Sequence, residues 1–216
     1  MAGDTVKEKR LQFGGMARWD GLDLFGPNYM SVAYRKEGEI HVKVEPSNIP
    51  KIENPLALRL SRLPILRSVF FWSRLLIQVV GSFWTLVFFA GMKLSPVGRY
   101  HGAEHKAVAA YEKYGEVTLQ GAKSSSRIHP RCGTNILAYI VIAALLDPLI
   151  SWWAYAFLQF ILISEAWFVF GRTRPSIAVG NLFQRYLTTT EPRRAELEVA
   201  VESMNRLLEA EQGRIG

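Results

Sequence analysis

Two of the chain's four histidines and a carboxylate fall within five residues, His101-Gly102-Ala103-Glu104-His105. On a helix, His101 and His105 are i and i+4 and share a face, with Glu104 at i+3 on the same side. Two imidazoles one turn apart can hold a divalent metal. The order H-x-x-E-H is also one of the named zinc-hydrolase patterns. The other reading of the same spacing is a polar helix face with solvated histidines.

Two further groups could join this motif. His129 and Cys132 are spaced H-x-x-C, and Glu165 lies inside an apolar stretch, where a carboxylate is costly unless it has a partner or a function. A catalytic set would use His101, His105 and one carboxylate, Glu165 first, with Glu104 as the general base. Glu112, on the same helical stripe, is an alternative third ligand. A structural set would close a tetrahedron with His101, His105, His129 and Cys132. For His129 alone, loop hydrogen bonding is the plainer role; for Cys132, a small buried residue is. A thiolate nucleophile at Cys132 beside a histidine is the competing chemistry.

The elements that must carry these residues follow from composition. Hydrophobic residues make up 49% of the 216 but concentrate in Val69–Met92 and Ile136–Phe170. The net charge is +7, with no aromatic-basic RNA motif, finger spacing or basic helix, so nucleic acid is not an expected partner. Long apolar blocks in a basic chain point instead to a bilayer and its anionic headgroups. One cysteine excludes an intrachain disulfide. No cleavable signal peptide is visible in the first 30 residues.

Five segments result. Residues 1–55 hold a Gly-punctuated start, read as irregular with Asp20 and Asp23 in turns, and a β-hairpin over 31–45 turning at Glu37-Gly38. On that hairpin His41 falls on the polar face; a Pro-rich linker follows it. Residues 56–92 begin amphipathic and basic and continue apolar, as a spanning or re-entrant helix. Residues 93–134 carry the motifs, with a helix from about Arg99 to Tyr114 and Gly115 as its stop. Residues 135–170 read as a membrane hairpin turning at Asp147-Pro148. Residues 171–216 form a basic tail, with Thr190 a candidate cap for a helix striped by Leu197, Val201, Met204 and Leu208. The positive-inside rule places 1–67, 93–131 and 171–216 on the cytoplasmic side. The expected fold is therefore mainly α and integral to the membrane, with a small N-terminal β-hairpin and a cytoplasmic amphipathic helix.

Tyr100-His101-Gly102-Ala103-Glu104-His105-Lys106, Ala110-Tyr111-Glu112 and Ser126-Arg127-Ile128-His129-Pro130-Arg131-Cys132-Gly133-Thr134 resemble motifs of the YqhQ family of bacterial membrane proteins. Ser164-Glu165, Gln184, Leu187-Thr188-Thr189, Glu191-Pro192 and Glu198-Val199-Ala200 extend the resemblance, as do Gly14-Gly15, Asp20-Gly21 and Gly26-Pro27. The chain departs at Met16 and Asp20, where the family has Gln and Glu, and at Asp23-Leu24-Phe25. It is also shorter ahead of Tyr100. The resemblance implies an inner-membrane location and a predicted metal-dependent enzyme, and supplies no substrate. It keeps a carboxylate role open for Asp20.

The leading expectation is a cytoplasmic-face divalent-metal site, zinc first, in a hydrolase of unknown substrate. His101, His105 and Glu165 would be ligands and Glu104 the base, with His129, Arg131 and Cys132 completing the site or binding substrate. The alternative is a non-enzymatic membrane module that docks a membrane-protein partner or a second copy, with a structural metal or none. A transporter component is a third reading.

Overall fold

The structure, a computed structural model, describes residues 11–47, 55–60, 62–63, 91–136, 139, 161 and 163–213. The chain divides into two compact units. One comprises Met1–Ser47, Ser95–Arg127 and Thr190–Gly216, the other Asn48–Leu94 and Ile128–Thr189.

The first unit opens on an antiparallel meander: β1 (Gly14–Ala17), β2 (Gly21–Phe25), β3 (Tyr29–Lys36) and β4 (Glu39–Pro46), in that order across the sheet. The β3–β4 turn is at Glu37 and Gly38, with φ of 52° and 88°. Two successive left-handed residues make the turn whose twist matches the flanking strands, so the expected hairpin is present. His41 is exposed, as its phase implied, and stacks on Tyr34 across the pair. Leu22, Leu24, Ser31 and Ala33 share the inward face, and all four are fully buried.

Against this face lie two helices, α2 (Pro96–Tyr114) and α5 (Arg194–Glu211), α1 (Pro55–Leu60) belonging to the second unit. Pro96 opens α2, where its missing N–H costs nothing. Gly115 ends it at φ 82°, donating to the Tyr111 carbonyl. Gly98, Gly102, Ala103, Ala107 and Ala110 are small enough for close approach, so every residue from 100 to 108 is buried. A Cβ on Gly102 would collide with the Thr190 carbonyl, and the Thr190 N–H donates to Gly98 O at 2.8 Å. Thr190 therefore docks on α2 and does not cap α5. That helix starts after Arg193, whose N–H donates to the Glu196 carboxylate at 2.9 Å. Leu197, Met204 and Leu208 of the expected stripe are buried, together with Leu207, while Val201 is partly buried. Burying each such large side chain contributes about 1.5–3 kcal/mol. A short α3 (Leu119–Ser124), capped by Thr118 at the Gly121 N–H, completes the unit.

In the second unit the described elements are α1, a 3-10 turn at Gly133–Ile136, a helical stretch at 163–170, α4 (Arg174–Phe183) and a π-helical turn at Gln184–Thr188. Helix α4 is an element that the tail's basic opening concealed.

Three expectations are corrected. The mainly α membrane fold gives way to a four-stranded antiparallel sheet with helices, because the Gly-punctuated start pairs as β1 and β2. Asp23 accordingly sits buried in a strand, not in a turn. The multi-pass inner-membrane location is also overturned: among the described residues no helix is long and apolar enough to cross a membrane. The long helices α2 and α5 carry Glu, Lys and Arg along their length, which a span cannot tolerate. Most of 69–92 and 136–170, including the Asp147-Pro148 turn, lies outside the described residues.

Candidate metal centre

Helix α2 gathers the opening motif as its spacing requires. His101, Glu104, His105 and Lys106 are 8%, 5%, 3% and 5% exposed. The reading as a solvated polar face is therefore excluded. The two imidazole centroids are 4.4 Å apart, and their ligand nitrogens lie within 4.8 Å of each other, a possible metal site.

His105 Nδ1 is 2.7 Å from the Arg127 carbonyl oxygen. A carbonyl only accepts, so Nδ1 carries the proton and Nε2 is the lone-pair nitrogen in the neutral ring. Histidine ligands in metal sites are oriented by this kind of second hydrogen bond.

The Glu104 carboxyl packs against strand β1 of the sheet. A Cβ on Gly15 of β1 would come within 2.6 Å of Glu104 Cδ and 2.8 Å of Oε1, so a side chain there must displace the acid or the strand. Glu104 Oε2 is buried with no hydrogen-bond partner among the described residues. Burial pushes its pKa up to about 8. In the metal-free chain Glu104 therefore holds its proton at neutral pH and is a donor. A cation on the neighbouring imidazoles would draw the value back down and restore the base.

Lys106 has its ammonium buried among the Ser125 carbonyl at 2.9 Å, the Lys123 carbonyl at 3.1 Å and Glu191 Oε1 at 2.9 Å. Glu112, two turns past His105, is half-buried. Asp20 is exposed in the β1–β2 turn, 3.5 Å from Arg18 Nε.

The second unit orders the H-x-x-C segment. Gln184, fully buried in the π turn, accepts from the His129 N–H at 2.8 Å. Its amide donates to His129 O at 2.9 Å and to Asn135 Oδ1 at 2.7 Å. Asn135 in turn donates to Pro130 O at 3.0 Å and packs on Gly180, where a Cβ would clash. His129 and Cys132 are buried and Arg131 is exposed. The Arg131 N–H approaches His129 Nδ1 at 3.4 Å, in line with the loop-bonding role. Cys132 Sγ lies 3.0 Å from Thr134 Oγ1, which reaches Thr188 Oγ1 at 3.3 Å. Glu165 is half-buried on 163–170, beside a fully buried Ser164.

Sequence reasoning met Gly15, Lys106 and Gln184 only through resemblance, without a role for any of them, and missed Asn135. A lysine adjoining H-x-x-E-H was the one local signal; the others depend on partners far along the chain.

The class these features define is an α/β protein whose central helix buries an H-x-x-E-H motif. The chain belongs to the family described as "Protein of unknown function (DUF1385)", whose model matches residues 75–210. It is similar to the "Uncharacterized protein YqhQ" of Bacillus subtilis (strain 168), 31% identical over 134 residues, covering 53% of this chain and 41% of that protein. The chain thus spans less than half the length of that relative. No solved structure matches.

Proposed function

We propose that this protein binds one divalent metal ion on α2 through His101 and His105, and uses it for hydrolysis with Glu104 as the acid–base group. The observation that carries the reading is the His105 Nδ1–Arg127 carbonyl bond beside a second imidazole, since it leaves Nε2 as the ligand nitrogen. The donor chemistry fits: imidazole nitrogens suit zinc, and two histidines on one helix leave coordination positions open. Bound zinc would supply Lewis acidity and an acidified water. Glu104, buried and without a hydrogen-bond partner at Oε2 among the described residues, is the group that would hold or release a proton there. Cys132 and Glu165, a thiolate and a carboxylate, are the further ligand candidates that the sequence offers.

The test is metal content and zinc affinity of the purified full chain. His101→Ala and His105→Ala should lose metal, while Glu104→Gln should retain it. Cys132→Ser and Glu165→Gln in the same assay test the two further ligand candidates that the sequence offers. Wild-type protein that is folded and binds no divalent metal would sink the proposal.

A further inference from the structure

His105 can present Nε2 only while the Arg127 carbonyl stays against Nδ1, and that carbonyl lies on the segment after α3. Three bonds reach this segment from α2. Lys106 donates to the carbonyls of Lys123 and Ser125, and His105 donates to that of Arg127. The third acceptor of Lys106 is Glu191 Oε1 at 2.9 Å; the other oxygen of Glu191 is 3.4 Å from Arg127 Nε.

An ammonium has three N–H donors, and Lys106 places all three on acceptors. Burying it is otherwise costly, and a lysine can usually keep its charge in water. Here the charge is spent on immobilising 123–127 next to the proposed ligand. Glu191 ties the same segment through its ion pair with Arg127. It is 66% exposed, so it can be replaced without opening a cavity.

We infer that Lys106 and Glu191 are positioning residues, which together lock the Arg127 carbonyl onto His105 and so set the tautomer and ring orientation of a metal ligand. This rests on the reading of His105 as a ligand. Without the clamp, the carbonyl drifts and the ring samples both tautomers and both orientations, so part of the population offers the wrong nitrogen.

The experiment uses the full chain and two readouts. One is zinc affinity by chelator competition; the other is the ring 15N signature of His105 in the metal-free protein. Lys106→Met should weaken zinc roughly 10–100-fold, the range for outer-shell partners, and turn a single Nδ1–H tautomer into a mixture. Glu191→Gln should act in the same direction by less, and Lys106→Arg should recover part of the loss. Folded Lys106→Met or Glu191→Gln with wild-type affinity and a wild-type tautomer overturns the clamp. Should Lys106→Met not fold, Glu191→Gln decides by the same readouts. If His105→Ala binds zinc like wild type, the metal reading fails, and the tautomer signature still decides the clamp.

Discussion

The carboxyl of Glu104 rests against the bare backbone of Gly15, the two residues lying on α2 and on the edge strand β1. A methyl at Gly15 must displace the acid or the strand. Gly15→Ala should therefore cost about 1–3 kcal/mol. Combining it with Glu104→Ala should cost less than the sum, with a coupling above about 0.5 kcal/mol. Urea unfolding of the four proteins in the cycle measures this; strict additivity would show that the contact carries no energy.

Glu104 also gives the metal-free protein a pH dependence. The unfolded chain releases this proton near the ordinary value of 4.5, the folded chain near 8. Between the two the folded state binds one more proton, so the stability it confers is complete below about 4.5 and is lost as pH rises through about 8. With chelator present, wild type should lose stability more steeply than Glu104→Gln, by about 1.4 kcal/mol per pH unit between roughly pH 5 and 7.5. Parallel curves for the two proteins would contradict a protonated Glu104.

Metal should stabilise the fold, because the ligands assemble only in the native state. Zinc at about a hundred times its Kd should add about 2.7 kcal/mol, read as a rise in Tm. The rise should vanish in His105→Ala and persist in Glu104→Gln.

Gln184 holds both backbone groups of His129. Gln184→Met should remove the Gln184 partner of that N–H and of Asn135 Oδ1, at about 1–3 kcal/mol for each buried group, while the Cys132 N–H keeps its bond to the His129 carbonyl. Hydrogen exchange at the His129 amide should accelerate. Unchanged protection there would mean that another group holds the loop.

How much was legible depended on range. The helix ending at Gly115, the hairpin turning at Glu37-Gly38 and the α5 stripe all follow from periods and turn chemistry within a few residues. The pairing of His101 with His105 was legible for the same reason, since i and i+4 must meet on a helix. The strands β1 and β2 were hidden, because Gly14, Gly15 and Gly21 read as loop until a neighbouring strand supplies hydrogen bonds. Hydropathy alone suggested spans, yet the described helices are amphipathic and charged.

The sequence by itself determined that two imidazoles and a carboxylate share one helical face, a consequence of backbone geometry that needs no partner. Only the tertiary structure decided that this face is buried, that Glu104 is protonated against Gly15, and that Lys106 and Glu191 hold the carbonyl on His105. Those properties come from desolvation and from donors matched to acceptors distant in the chain. No local pattern encodes them.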